Sequence, residues 1–268
     1  MRERIHRANV GYVVSMPNGE RLPVVVTAFA QSLRASLRDR LIGVYLGGSF
    51  SMGDFVENVS DYDLLVVVAD RLLPPELAAL SALHERVLAT YPDAVHLEGD
   101  YAPRTWLTPE GTREAVPWFR GGQLQPQPAF MLSADNIANM GTAIVVAGLP
   151  ASDVMPHVTP EHVRDAVRAM LGDVDACETE AQAADEILAL LRSMRALETG
   201  APATKSDGVE WALAHLDKLW HPIIKRADAV RRGSAPESNE DTLRRGLDGL
   251  RELLLPTVST HGKPREST

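Results

Sequence analysis

Cysteine is almost missing from this sequence. Cys177 is the only one in 268 residues, which excludes an internal disulfide framework. Long apolar runs are missing too: the longest, residues 64–69, is strand-sized and falls far short of the ~20 residues that a membrane helix needs. Residues 1–7 carry charges with no apolar stretch behind them, so they do not read as a secretory signal. These absences together point to a cytoplasmic protein with no membrane partner. Positive charge is in deficit, with 27 Lys and Arg against 36 Asp and Glu and a net charge of −9. A nucleic-acid binder needs clustered basic residues to neutralise phosphates, so nucleic acid is not an expected partner. A small basic pocket for a nucleotide stays compatible with that balance, as does a cationic small-molecule substrate.

What is present suffices for one large domain or two modest ones, since 45% of the residues are hydrophobic and chains of this size bury substantial cores. Residues 24–41 read as a helix, with Val25, Phe29, Leu33 and Leu37 four apart. Residues 41–46 read as a strand, and residues 64–68 as a second strand, short and β-branched and hence buried. Residues 75–91 are helical again, with proline in the first turn. Residues 96–101 form a third candidate strand, and the Gly-, Pro- and Gln-rich residues 111–128 read as a loop. Beyond Pro150 the strand signals stop. Apolar residues then recur at helical spacing around Val163, Ile187, Trp211 to Trp220 and Leu243, with Gly200 placed to end the second helix. Residues 231–241 read as an exposed link, and residues 261–268 as a fraying end. Both halves are acidic, 16 against 12 charges before residue 151 and 20 against 15 after it, so charge marks no boundary. The switch of period does: an α/β domain over 1–150 precedes a helical domain over 151–268.

The chemistry concentrates in one arrangement. A strand ends in Gly48-Ser49, and twelve positions on from Ser49 comes Asp61-Tyr62-Asp63, which opens the next apolar strand. The strand period of two puts Asp61 and Asp63 on one face. Two adjacent carboxylates repel and are costly to bury uncompensated; a divalent cation with a taste for oxygen ligands, such as Mg²⁺, relieves both problems. Gly48 lets backbone approach a phosphate, and the Ser49 amide and hydroxyl can donate to its oxygens. These residues together describe a site for a metal-bound nucleotide.

Residues 46–54 and 60–68 resemble the signature of the DNA polymerase β-like nucleotidyltransferases. Within that superfamily the chain is similar to the aminoglycoside adenylyltransferases that modify streptomycin and spectinomycin. His96-Leu-Glu-Gly-Asp-Tyr-Ala-Pro103 matches the strand that carries a third carboxylate, and Arg192, Gly200, Lys205 and Trp211 match the helical-domain pattern R-x7-G-x4-K-x5-W. The resemblance spans roughly residues 24 to 230 in two separate blocks.

The resemblance implies a fold and a division of labour. The N-terminal domain would be a polymerase β-like nucleotidyltransferase of α/β class, and the C-terminal domain all-helical. Gly48 and Ser49 would hold the triphosphate of ATP, with Arg192 and Lys205 reaching it from the helical domain. Asp61, Asp63 and Glu98 would ligate Mg²⁺, and Glu98 would be the general base that deprotonates an acceptor hydroxyl. Asp100, on the same strand face, is the alternative base. The expected reaction moves AMP from ATP to a hydroxyl of a cationic small molecule, an aminoglycoside or aminocyclitol. Two alternatives are adenylylation of a protein hydroxyl and a nucleotide-binding regulatory protein without turnover. Two features depart from the family pattern. Arg195 stands where an aromatic residue is usual, and residues 177–191 lack the tryptophan of streptomycin-modifying members. That stretch offers Glu178, Glu180, Asp185 and Glu186 for a cationic substrate instead, and Trp118 resembles a pocket-lining tryptophan. The acceptor, the modified hydroxyl, the base preference and the oligomeric state stay open at this level.

Overall fold

A computed structural model describes residues 21–127, 131–171, 177, 179–235 and 241–260. Helix α1 (Val24–Leu37) ends where Arg38 takes a positive φ of 50°, four residues short of the end expected from its spacing. Strand β1 (Leu41–Leu46) runs into the single turn α2 (Gly48–Ser51), and a loop leads to β2 (Tyr62–Val68). Helix α3 (Pro74–Thr90) carries the chain to β3 (Leu97–Pro103). Four short strands follow: β4 (Leu107–Thr108), β5 (Gly111–Thr112), β6 (Trp118–Arg120) and β7 (Gln123–Leu124). Helix α4 (Ala134–Gly141) and strand β8 (Ile144–Gly148) close the strand-bearing part.

The six-stranded sheet has the order β7-β6-β3-β2-β1-β8. Only β2 and β3 are parallel, because α3 supplies the crossover that parallel neighbours require. From Leu64 to Val68 every β2 residue is buried, as expected of a strand covered on both faces. Leu64, Val66 and Val68 join Phe29, Leu33, Leu80 and Leu83 of α1 and α3 on one face. Leu65 and Val67 join Ala102 of β3 and Ile137 of α4 on the other. Each such side chain contributes about 1.5–3 kcal/mol by leaving water, so this strand anchors both layers.

Helices α5 (Pro160–Met170), α6 (Glu180–Thr199), α7 (Lys205–His215), α8 (His221–Arg231) and α9 (Thr242–Thr260) make up the rest. Four of them, α6 to α9, share a core of Ile187, Leu188, Leu191, Ala212, Ile224, Leu247 and Leu250. Gly200 ends α6 with φ 70°, as its position suggests. No helix among the described residues is long and apolar enough to cross a membrane.

Three readings need correction. Residues 111–127 are not merely a loop: they supply β5 and the hairpin β6–β7, which extends the sheet beyond β3. Helix α8 had no expected counterpart, because its buried positions are Ile224, Ala227 and Arg231, a core stripe that a charged residue interrupts. Arg231 therefore belongs to a buried helix face and not to an exposed link; the centre of that link and the expected frayed end lie outside the described residues. Met170, which continues the helical apolar spacing read around Val163, is exposed.

Candidate active site

The parallel register sets Asp63 opposite Glu98 and Leu65 opposite Asp100. Partners in register point to the same face, so Asp61, Asp63, Glu98 and Asp100 share one end of the face that continues inward as Leu65, Val67 and Ala102. Strand β6 adds to this face from the other side, with Trp118 opposite Asp100 and Arg120 Nε 3.6 Å from Glu98 Oε2. The Trp118 indole N–H donates to the Gln127 carbonyl at 3.1 Å.

The Gly48 turn closes against the same carboxylates. Gly47 N–H donates to the Asp63 carbonyl at 2.9 Å, and the Ser49 backbone N–H donates to the Asp63 side chain. Gly48 has φ 59°, and a Cβ there would overlap the Asp63 carboxylate. Only glycine combines that dihedral with that proximity. The turn is held from outside by α4, whose Asn139 Oδ1 accepts from Gly48 N–H at 2.8 Å.

Crowding drives the carboxyls toward protonation. Burial and then Asp61 push Asp63 up to about 6, although Arg192, the Ser49 amide and Lys205 pull the other way. Burial pushes Glu98 up to about 7 against the opposing pull of Arg120, with Asp61 and Asp63 adding to the rise and a side-chain hydrogen bond linking it to Asp61. Burial, Glu98 and Asp63 raise Asp100 to about 7, and its Oδ1 is buried with no hydrogen-bond partner. His96 Nδ1 lies 3.6 Å from Asp61 Oδ1. Among the described residues no three metal-ligating side chains already converge on one point. The donor set nonetheless fits a hard divalent cation: every oxygen is carboxylate, the group is crowded, and one buried oxygen lacks a partner.

The helical part brings the cations. Arg192 of α6 is exposed, and its charge reaches both Asp63 and Asp135. Close packing of α7 fixes its backbone, because a Cβ at Gly208 would overlap the Arg192 amide. Lys205 is the first residue of α7; its Nζ is 2.5 Å from Asp185 Oδ1. Asp63 thus feels Gly48, Ser49 and Asp61 from the sheet side and Arg192 and Lys205 from the helical side. The acids offered by α6 for a cationic substrate are largely engaged: Asp185 by Lys205, Glu180 by Arg226 at 3.0 Å, and Glu186 by Arg251 at 3.2 Å. Glu178 lies outside the described residues. Arg195 pairs with Glu198 at 2.6 Å.

Sequence reasoning missed three neighbours of the site. Arg120 follows from a signal that was available, since Gly121-Gly122 between short strands is a two-residue hairpin turn. Asp135, whose Oδ1 is buried and unpartnered and whose carboxyl is raised by burial, sits in the first turn of α4 behind a Ser133 cap. With Arg192 it lines a small cavity bounded by Val167, Met170 and Ala196. Asp54 joins the two halves: Arg231 Nη2 is 2.8 Å from its Oδ2, and both side chains are buried. No local pattern announced that pair.

Comparisons with known proteins match both parts of the chain. Residues 30–114 match the model of a nucleotidyltransferase domain. Residues 153–252 match that of the aminoglycoside adenylyltransferase C-terminal domain. Among solved structures, the chain is similar to the spectinomycin adenyltransferase of Enterococcus faecialis, crystallised with ATP and spectinomycin. The TM-score is 0.64 at 17% identity, over 85% of this chain and 97% of that one. Comparison with curated protein sequences finds no match.

Proposed function

Because the chain belongs to the aminoglycoside adenylyltransferase family and is a nucleotidyltransferase, we propose that it moves AMP from ATP, with Mg²⁺, to a hydroxyl of an aminoglycoside or aminocyclitol. The observation that carries this reading is the position of Asp63, between the Gly48 turn and the Arg192 and Lys205 charges. Phosphoryl-type transfer depends on positioning and on charge neutralisation, and those are the two things this arrangement offers.

In this reading the division falls at residue 150, with ATP between the parts. Gly48 and Ser49 cradle the triphosphate from one side, and Arg192 and Lys205 neutralise it from the other. Asp61, Asp63 and Glu98 would hold Mg²⁺, which when bound supplies charge for the α-phosphate and the departing pyrophosphate. Glu98 takes the proton of the acceptor hydroxyl as that oxygen bonds to the α-phosphorus. The bond to the β-phosphate oxygen breaks and pyrophosphate leaves. Arg120, beside Glu98, keeps its charged form from being too costly. A cationic acceptor would meet the Asp100 and Trp118 end of the sheet, since the described α6 acids are engaged by cations of the chain itself.

The test is pyrophosphate release from ATP and Mg²⁺ with a panel of aminocyclitols and aminoglycosides, spectinomycin and streptomycin included. Mass spectrometry would follow the added AMP. A product that Glu98→Gln abolishes while ATP still binds supports both reaction and base; loss on the order of 10²–10⁴-fold is expected for a general base. ATP binding without any product across the panel would move the acceptor to another metabolite or a protein. No ATP binding at all would sink the reading.

A further inference from the structure

Asp54 touches both halves of the molecule at once. Its backbone N–H donates to the Ser49 carbonyl at 2.9 Å, so its position is tied to the turn proposed to cradle phosphate. Its side chain crosses to the helical part. Oδ1 accepts from Ser206 Oγ at 2.5 Å and Oδ2 from the Ser206 backbone N–H at 3.2 Å. Arg231 of α8 pairs with Oδ2 at 2.8 Å and also donates to the Asp54 carbonyl at 2.8 Å. Arg232 completes the cluster by donating to Ser206 Oγ at 2.8 Å. Ser206 is the neighbour of Lys205 in the first turn of α7. The chain of contacts therefore runs from Ser49 through Asp54 and Ser206 to Lys205, linking two sides of one site.

Burial gives this link its character. The side chains of Arg231 and Asp54 are 6% and 9% exposed. Burial alone would raise the Asp54 carboxyl, yet Arg231 and Ser206 outweigh it and hold the group below its usual range, so it stays charged. A buried ion pair stabilises a fold no better than a well-packed apolar pair, and its distinctive effect is to admit one geometry. Here that geometry is the separation of the Ser49 turn from Lys205.

We propose that Asp54 is a positioning residue of the nucleotide site, holding Lys205 in register with the Ser49 turn so that one triphosphate spans both. The inference rests on the reading above in which Ser49 and Lys205 contact the nucleotide. Asp54 touches no substrate; it acts through Ser206 and Arg231.

The experiment is calorimetric titration of the full chain with ATP and with AMP, each with Mg²⁺, for wild type, Asp54→Asn, Ser206→Ala, Lys205→Ala and the two doubles with Lys205→Ala. Asp54→Asn keeps the shape and removes the charge. ATP affinity should fall about tenfold, as for loss of one partner of a buried pair, while AMP changes less than about twofold. In the Lys205→Ala background the same change should cost less than about threefold, because residues acting through one another are not additive. If Asp54→Asn does not fold, Ser206→Ala decides: a loss of about threefold for ATP should vanish in the Lys205→Ala background. Unchanged ATP affinity, equal weakening of ATP and AMP, or full additivity with Lys205→Ala overturns the inference. If wild type binds ATP and these variants fail the pattern, only this inference falls; if wild type binds no ATP, the nucleotide reading falls and this one with it.

Discussion

Gly48 and Asp63 meet across the end of the sheet: the Asp63 carboxylate fills the space that any side chain at position 48 would need. The backbone at Gly48 is left-handed as well, with φ 59°. The turn proposed to cradle phosphate and the acid proposed to hold metal, fifteen residues apart in sequence, are thus one packed unit.

Gly48→Ala should damage the site more than the fold. Strain at a left-handed position costs about 1 kcal/mol or somewhat more, and the methyl group must also displace Asp63. Calorimetric titration should find ATP affinity down by at least about tenfold, that is about 1.4 kcal/mol, with a melting temperature only a few degrees lower. A variant that binds ATP like wild type would contradict the packing described.

In metal-free protein the Asp100 carboxyl costs stability at high pH. Its folded value, about 7, is raised above the unfolded value of 3.8. Its contribution is therefore fully present below about 4 and lost as the pH rises through about 7. Asp100→Asn should stabilise the protein at pH 8 more than at pH 5, by a margin on the order of 1–3 kcal/mol. Urea melts at the two pH values, in chelator, measure that margin.

His84 carries the opposite sign. It is buried between the Gly122 carbonyl, 3.0 Å from Nδ1, and the Tyr101 hydroxyl, 2.8 Å from Nε2. Burial lowers its value to about 4 from 6.5, against the opposing Gly122 bond. Its contribution is complete above about 6.5 and is lost as the pH falls through about 4. The loss is on the order of 3 kcal/mol over that window. His84→Gln, which keeps a donor and an acceptor, should flatten the acid side of the stability profile relative to wild type; identical profiles would rule this out.

Mg²⁺ should protect the protein where its acids are ionised. At pH 8 the crowded carboxylates Asp61, Asp63 and Glu98 repel, and a cation bound only by the folded state stabilises by mass action. Millimolar Mg²⁺ should raise the wild-type melting temperature in differential scanning fluorimetry by a few degrees, about what 1 kcal/mol does in a chain of this size. In Asp61→Asn/Asp63→Asn the rise should disappear.

Gly208→Ala should loosen the grip of α7 on α6. The added methyl group meets the Arg192 backbone, and overpacking of this kind costs about 1–3 kcal/mol. Thermal melts should show the loss, and ATP affinity should drop with it because Arg192 moves.

Local physics made much of this legible in the chain itself. The β-branched run 64–68 could only be a buried strand, and the D-x-D phase put Asp61 and Asp63 on one face. Gly200 ended α6 as a glycine with a left-handed φ does. What escaped depends on contacts between distant residues. Strands β6 and β7 are three and two residues long, too short to show a period, and exist because β3 offers an edge. Helix α8 hid because its buried stripe includes Arg231, whose charge is paired across the molecule by Asp54, 177 positions earlier. The engagement of Asp185 by Lys205 was equally invisible, since an acid on a helix face looks free until a cation from another helix is seen beside it. The sequence by itself determined the long strands β1 to β3, the helices α1 and α3, the helical character of the second half and the residue types that chemistry can use. Which of those charges meet, and which stay open to a substrate, was decided by tertiary packing, because electrostatic pairing depends on distances that chain spacing does not encode.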